Sequence, residues 1–273
     1  MIHYRNHPAL DDDVALWRYM GLDALRAMLS THTLRLTRLD RFDDPFEGTV
    51  PRAQAMRTAE QFVGAIDPSD PIYLQRSGQA NDPRRRNISW QTEMRQRREA
   101  QIRCAHASCW RQGAESDGMW RLYCANGGQG IAIRTTFGQL VRELSSTNTV
   151  IGAVQYRNYH EGEAFHDDID AFFNKRLGFS YEQEVRVLSY DSAASHKHTE
   201  FIAGFAGDAP DLLEQFLYIP MRTPDIANEI VVSPYASREF ETQLQELVES
   251  ECPDLSPKVS FSELSERRHQ RWV

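Results

Sequence analysis

The most constraining feature of the chain is the alternation near its start, "ALWRYMGLDALRAMLSTHTLRLTRL". The apolar run from Ala15 to Met20 predicts a β-strand, and Gly21 ends it. Apolar residues spaced three or four apart from Leu22 to Leu29 then predict an amphipathic helix. The alternating segment 33–37 predicts a second strand. A strand, a helix and another strand in direct succession favour a fold that mixes α and β structure.

The rest of the chain continues this mixture without an internal repeat. Further strands are predicted at 104–110, 129–135, 149–159, 179–188, 216–221 and 229–234, and helices at 51–66, 88–102, 116–126, 161–177 and 237–250. These segments indicate an α+β chain with seven to nine strands. The glycines of "GGQG" at 127–130 do not form the G-x-G-x-x-G pattern that follows a strand, so a dinucleotide-binding Rossmann fold is not predicted. The polar, proline-rich segment 67–87 is predicted to be a mobile insertion.

Composition restricts the classes of protein that the chain can belong to. It has 273 residues, of which 41% are hydrophobic, and this is enough for a sizeable core. No apolar run has the length needed to cross a bilayer, and the first residues do not resemble a signal peptide, so we expect a cytoplasmic protein without a membrane partner. The net charge of −8 argues against bulk coating of nucleic acid, although local arginine clusters leave a nucleic-acid contact open.

Two glutamates at the start of an apolar run stand out in "FSYEQEVRVL" at 179–188. If the whole stretch is a strand, Glu182, Glu184 and Arg186 lie on one face, because side chains alternate. Two neighbouring carboxylates raise each other's pKa unless a cation compensates them. One interpretation is a solvated face on which Arg186 pairs with Glu184. The other is a catalytic carboxylate with a helper.

An arginine inside an apolar strand requires a partner. Arg18 lies within "ALWRYM", and burying a guanidinium is costly unless an anion faces it. A ligand phosphate or carboxylate would satisfy Arg18. The alternative is a carboxylate of the chain itself, for which the candidates are Asp43, Asp44, Glu47 and Glu184.

Other polar and aromatic residues leave more than one interpretation open. Trp120 and Tyr123 are three apart on a predicted helix and form either an aromatic core patch or a stacking wall for a flat ring. The acids of "RFDDPFEG" at 41–48 suggest either a turn or a metal site. The four cysteines lack zinc-ligand spacing; most are expected to be buried, with Cys109 as a less favoured nucleophile.

Three long segments together resemble the domain-of-unknown-function family 2971. They are "LWRYMGLDALRAMLSTHTLRLTRLDRFDDPFEG", "SCWRQGAESDGMWRLYCANGGQGIAIRT" and "KRLGFSYEQEVRVL", and "EIVVSP" completes the set. The resemblance extends over roughly residues 14–235. The family name implies little about activity.

A more distant resemblance is to the ADP-ribosyltransferases. It implies a split antiparallel β-sheet core with flanking helices in one domain, here residues 1–273. Arg18, followed by Tyr19, is similar to the basic residue of that family's first strand. Ser108 is similar to the serine of its Arg-Ser-Glu form, and Glu182 with Glu184 to its paired glutamates. The chain departs from the pattern at 107–109, where Ala-Ser-Cys replaces Ser-Thr-Ser.

This second resemblance implies a transferase of the glycosyltransferase class that uses NAD as a substrate. Glu184 and Glu182 would be catalytic, while Arg18, Tyr19, Ser108, Trp120 and Tyr123 would hold NAD. Tyr123 competes with Ser108 for the role on the second strand. The acceptor would be a nucleic acid or a protein, and a toxin or antiviral defence effector of this kind would have an antitoxin or regulatory partner. A non-catalytic nucleotide- or partner-binding module and a metal-dependent phosphodiesterase or nuclease remain the alternatives.

Overall fold

The computed structural model describes residues 3–5, 10–51, 83–124, 129–159, 169–204 and 210–265, and for 3–5 and 83–91 it describes the backbone alone. The strands are β1 (His3–Arg5), β2 (Ala15–Met20), β3 (Thr33–Arg38), β4 (Ala105–Gln112), β5 (Ile131–Thr136), β6 (Val150–Ala153), β7 (Gln155–Arg157), β8 (Asn174–Arg176), β9 (Glu184–Tyr190), β10 (Phe216–Pro220), β11 (Glu229–Val232) and β12 (Val259–Phe261). The helices are α1 (Leu22–Thr31), α2 (Pro83–Arg103), α3 (Asp117–Tyr123), α4 (Phe137–Glu143), α5 (Ser192–Ala203), α6 (Thr223–Ile226) and α7 (Arg238–Glu251).

The opening alternation forms the predicted elements β2, α1 and β3. Leu25, Met28 and Leu29 lie on one side of α1 and are buried, as their spacing requires. The helix ends at His32, whose φ of 51° places it in the left-handed region, and β3 starts at the next residue. The prediction for this part of the chain is confirmed.

A large mixed sheet flanked by helices organises the described residues. Ten strands form it, in the order β1-β6-β9-β4-β2-β5-β11-β12, with β3 bonded to both β4 and β10. Most neighbours are antiparallel, but β1 is parallel to β6 and β11 is parallel to β12. The expectation of a purely antiparallel sheet is therefore wrong at these two pairs. A separate parallel pair joins β7 and β8.

The sheet forks at β4. One edge of β4 pairs along its length with β9. The other edge pairs with β3 near its start, where Ala107 faces Thr37, and with β2 near its end, where Arg111 faces Trp17. Two strands thus diverge from one edge. Where the two strands diverge, the Arg35 carbonyl of β3 accepts a hydrogen bond from the Arg18 side chain instead of from a neighbouring strand.

The two faces of the sheet carry different chemistry. The registers of β2, β4 and β9 place Arg18, Ser108, Trp110 and Val185 on one face, which we call the core face. Most of the apolar core lies there, including buried leucines of α1, α4 and α7. The opposite face, here the site face, has two smaller apolar clusters. Between those clusters lie Cys109, Glu184 and Arg186, on the same face as Tyr19 of the first cluster.

Some predicted elements differ from the observed ones. The described part of the predicted helix 161–177 contains a 3-10 turn, Asp170–Phe173, and then β8 instead. The weakly patterned region after residue 191 contains α5, which the sequence did not predict. The predicted helix 51–66 lies almost wholly outside the described residues. Residues 67–82 of the predicted insertion also lie outside them, and 83–87 form the start of α2.

Candidate active site on the site face

The two glutamates come from different elements. The prediction of one continuous strand over 179–188 is wrong, because Leu177–Glu182 is a 3-10 helix and β9 begins only at Glu184. Gln183 between them has a φ of 43°, a left-handed conformation that is uncommon outside glycine. Its carbonyl accepts a hydrogen bond of 2.9 Å from the Gln112 amide, which fixes this turn against β4. The turn brings both carboxylates to one amine.

Lys175 of β8 joins the two carboxylates. Its Nζ lies 2.5 Å from Glu182 Oε2 and 3.3 Å from Glu184 Oε2. Arg186 Nε donates to the other Glu184 oxygen at 2.7 Å, so the predicted Arg186–Glu184 pair is confirmed. Glu182, Glu184, Lys175 and Arg186 are all buried, and the alternative of a solvated surface pair is wrong.

Glu47 completes this ion network. Its Oε1 accepts a 2.7 Å hydrogen bond from Arg186 Nη1, and its Oε2 lies 3.8 Å from Lys175 Nζ. Three carboxylates therefore share two cations, which leaves one formal negative charge in a buried place. Neighbouring Asp44 binds Arg176 at 2.7 Å. Two of the three acids of the loop that the sequence suggested as a metal site, Asp44 and Glu47, thus form ion pairs.

The two catalytic candidates have pKa values displaced in opposite directions. Burial raises the pKa of Glu182 by more than Lys175 lowers it. Burial also acts to raise the pKa of Glu184, but Arg186 and Lys175 outweigh it and lower that pKa to about 2. Glu184 is therefore a permanent anion, whereas Glu182 can exchange a proton nearer neutral pH. Oppositely displaced carboxylates are typical of acid–base sites.

A cleft opens beside the carboxylates. Its enclosed part is small, about 50 Å³, and the space reaches about 330 Å³ only when the open solvent at its mouth is included. Its lining includes Tyr19, Arg111, Met119, Tyr123, Glu182 and Glu184. The structure thus brings four of the predicted site residues, Tyr19, Tyr123 and the two glutamates, to one place.

The aromatic residues divide into a wall and its support. Tyr123, at the end of α3, is 49% exposed, and burial together with the Glu182 carboxylate raises its pKa. Tyr19 accepts a 3.0 Å hydrogen bond from the Ser116 amide, and burial raises its pKa to about 12. Trp120 is fully buried and packs edge-on against Tyr19 at 4.7 Å between ring centroids. Trp120 therefore supports the wall from behind, and its burial favours the interpretation of an aromatic core patch.

Two predicted ligand-binding residues lie on the other side of the sheet. Arg18 and Ser108 are on the core face, where the Arg18 guanidinium donates to Ser108 Oγ and, at 3.5 Å, to the Arg35 carbonyl. It also lies 5.7 Å from the centroid of the Trp110 ring. No carboxylate pairs with Arg18 within the described ranges. Because strand residues alternate, neither side chain converges with Glu184.

Arg111 occupies the place in the cleft that the sequence assigned to Arg18. It lies opposite Glu184 in the ladder, and its guanidinium donates to the carbonyls of Gln112 and Ala114 and to Gln183 Oε1. These acceptors are all neutral. Sequence reasoning missed Arg111, although "SCWRQ" places it two residues after Cys109 and hence on the same face.

Two further groups line or support the site. Tyr156 Oη accepts a 2.8 Å hydrogen bond from the Glu184 amide and so holds the start of β9. Burial and the Glu184 charge raise the pKa of Cys109 well above its ordinary value. A protonated thiol is a poor nucleophile, so the structure disfavours the interpretation of Cys109 as a catalytic nucleophile.

The acids do not assemble into a metal site. Across the portions of the chain that the structure describes, no group of three or more His, Cys, Asp or Glu side chains is arranged to hold a metal ion. Lys175 occupies the position between Glu182, Glu184 and Glu47 where a cation would lie. This arrangement disfavours the phosphodiesterase or nuclease alternative.

Comparison with known proteins gave a match to a family model. Residues 119–187 match the model of a family described as Protein of unknown function (DUF2971), so the predicted resemblance to that family is confirmed over this segment. The matched segment includes Tyr123, Lys175, Glu182 and Glu184, so it contains the charged end of the cleft. Searches of curated proteins and of solved structures gave no match. Among the helices in the described ranges, none has the length and apolar character needed to cross a membrane.

Proposed function

We propose that the chain is an ADP-ribosyltransferase that takes NAD as its substrate and transfers the ADP-ribosyl group to an acceptor. The observation that carries the proposal is the carboxylate pair at the end of an aromatic cleft. Glu182 and Glu184 share Lys175 and have pKa values displaced in opposite directions. The fork of β2 and β3 from one edge of β4 also agrees with the split sheet that the distant resemblance implies.

The geometry favours Glu182 as the residue that reacts. Both oxygens of Glu184 are bonded to cations. In the described part of the chain, Glu182 has one hydrogen bond, from Lys175 to Oε2, so Oε1 remains available at the cleft. Glu184 then acts through Lys175 as a positioning residue. This reverses the emphasis of the sequence prediction, which gave the leading role to Glu184.

Cleavage of the nicotinamide–ribose bond suits such a pair. When the C1′–N bond breaks, its electron pair leaves with nicotinamide and positive charge develops on the ribose. The network's surplus negative charge stabilises that cation. The acceptor then forms a bond to C1′ and gives its proton to Glu182, whose raised pKa suits a general base near neutral pH.

The size of the cleft suggests how NAD would lie. The enclosed part is only about 50 Å³, so we place the nicotinamide ring and its ribose at the open mouth, beside Tyr19 and Tyr123, with the other half of NAD further out. The diphosphate requires a cation there. Arg111 lines the cleft and is hydrogen-bonded to neutral oxygens alone among the described residues, so its charge is available to an anion.

Nicotinamide release tests the proposal. We expect calorimetry to show NAD binding to wild type and to Glu182→Gln within about threefold of each other, because the amide keeps the shape of the side chain. Nicotinamide release should fall at least about 100-fold in Glu182→Gln, since a general base contributes about that much or more. Glu246→Gln, on the exposed side of α7, is the matched control and should behave as wild type.

Two results would contradict this function. Absence of binding at millimolar NAD would exclude NAD as the substrate, and undiminished release in Glu182→Gln would exclude this carboxylate as the base. Binding without release in every variant would favour a non-catalytic nucleotide-binding module. The observation that favours this second candidate is the complete pairing of Glu184 with cations.

A further inference from the structure

One helix of this acidic chain is strongly positive. α2 contains seven arginines (Arg84, Arg85, Arg86, Arg95, Arg97, Arg98 and Arg103) against two glutamates, Glu93 and Glu99, and so carries a formal charge of +5. The whole chain carries −8, which leaves −13 on the other residues. A basic helix in an acidic protein is not explained by average composition. It indicates a local anionic partner.

Part of the positive charge of the helix is exposed to solvent. Where side chains of α2 are described, Arg95 and Arg97 are exposed. Arg103 pairs with Glu99 at 2.7 Å. Arg95 and Arg98 are three positions apart, so their like charges are neighbours on the helix surface and repel each other. An anionic ligand would relieve that repulsion.

α2 is attached to the catalytic side of the molecule. Arg98 Nε donates a 2.6 Å hydrogen bond to the Gly48 carbonyl, and the Arg98 guanidinium lies 4.6 Å from the centroid of the Phe172 ring. Gly48 follows Glu47, which binds Arg186 in the ion network. The basic helix therefore lies on the site face, joined to the loop that completes the candidate active site.

We propose that α2 docks the phosphate backbone of a nucleic acid. The inference rests on the proposed transferase function, because it names the acceptor class as nucleic acid. A helix of 21 residues is about 31 Å long and spans several consecutive phosphates. Guanidinium groups bind phosphate oxygens in a bidentate geometry that suits such a backbone.

Other anionic partners fit the helix less well. A helix that lies on a membrane needs an apolar face as well as a basic one, and the described exposed positions of α2 from Thr92 to Arg97 are polar. Stable protein interfaces use buried aromatic or aliphatic anchors, which these positions also lack. A polyanion bound through its charges remains the partner that the helix favours.

Binding of a labelled oligonucleotide, measured without NAD, tests the proposal. We suggest fluorescence anisotropy with single-stranded DNA and RNA probes about 20 nucleotides long, over a series of salt concentrations. The double variant Arg95→Gln with Arg97→Gln should bind at least about tenfold more weakly, and its salt dependence should fall by about two phosphate contacts. The control is Arg26→Gln with Arg142→Gln, two exposed arginines of α1 and α4, which removes the same charge elsewhere. It should bind as wild type does.

Three outcomes would overturn the proposal. They are no binding at low salt, equal weakening in the two double variants, and tighter binding to polyglutamate or to anionic vesicles. Glutamine favours helix as arginine does, and circular dichroism checks that α2 is retained. Glu182→Gln should bind the probes as wild type does. If wild type binds the probes but releases no nicotinamide, the proposed transferase function fails and the docking proposal stands. If it releases nicotinamide but does not bind the probes, the docking proposal fails and the transferase function stands.

Discussion

The two faces of the sheet show two ways of accommodating an arginine. On the site face, Arg186 is fully buried and contacts Glu184 and Glu47, both at 2.7 Å. On the core face, Arg18 contacts a hydroxyl and a carbonyl and, in the described residues, no carboxylate. Their pKa values move in opposite directions. Burial lowers that of Arg18 to about 10, whereas the two carboxylates overcome burial and raise that of Arg186.

The difference follows from the architecture of the sheet. The fork leaves the Arg35 carbonyl of β3 without a strand partner at β4, and Arg18 donates to that carbonyl. Arg18 therefore supplies a hydrogen bond that the sheet lacks, whereas Arg186 compensates the charge of two buried carboxylates. A guanidinium facing neutral acceptors can be replaced at modest cost. One that faces buried carboxylates cannot, because its removal leaves them uncompensated.

Removal of Arg186 should have the largest effect on stability. We expect Arg186→Met to lower the free energy of unfolding by about 3–5 kcal/mol, because Glu184 and Glu47 then remain buried and, among the described residues, only Lys175 is left to compensate them. Urea unfolding measures the loss. The control is Arg134→Met. Arg134 is 44% exposed in its pair with Glu229, so its removal should cost at most about 1 kcal/mol. A comparable loss in both variants would mean that the network is solvated.

The charge of Glu184 should make stability fall in acid. Its pKa is lowered from 4.5 to about 2, so its ionised form favours the folded state above pH 4.5. This contribution, on the order of 3 kcal/mol, is lost as the pH falls from about 4.5 towards about 2. Glu182 acts in the opposite direction, because a raised pKa favours folding as it becomes protonated.

Urea midpoints across this pH range measure the acid effect in wild type and two variants. Glu184→Gln should be less stable at neutral pH and should lose less stability in acid. Glu182→Gln should keep the decline of wild type, or show a steeper one. An unchanged acid decline in Glu184→Gln would assign the effect to other carboxylates.

The spacing of apolar residues predicted several helices and strands, but it did not predict which side chains meet at the site. The spacing of apolar residues was sufficient for β2, α1 and α7, whose buried sides follow from their sequences. The strand that was expected to carry both glutamates failed at Gln183, because nothing in its sequence signals a left-handed residue. In the described part of the helix expected at 161–177, which starts at residue 169, a 3-10 turn and β8, with Lys175, replace the helix.

Parity within strands explains the other errors at the site. Ser108 and Cys109 are adjacent and point to opposite faces, and the same holds for Arg18 and Tyr19. Alternation alone therefore indicated that Arg18 and Tyr19 do not share a pocket. Which of them faces Glu184 depends on strand order and register, which local sequence does not specify. Arg111 was missed as a site residue for the same reason, since Gln183 is distant from it in the chain. Glu47 was expected to face Arg18 or a metal ion, and its pairing with the distant Arg186 was not predicted.

The smallest loss of stability is expected for Arg18, on the core face. Arg18→Met should cost about 1 kcal/mol, because the methionine keeps much of the apolar stem and only hydrogen bonds to neutral groups are lost. A double-mutant cycle with Ser108→Ala, read by urea unfolding, should give a coupling energy of about 0.5–1.5 kcal/mol for the Arg18–Ser108 bond. NAD binding should not change in either variant, because the sheet separates both side chains from the cleft. Weaker NAD binding by Arg18→Met with normal stability would contradict this separation and return Arg18 to the site, where the distant resemblance first placed it.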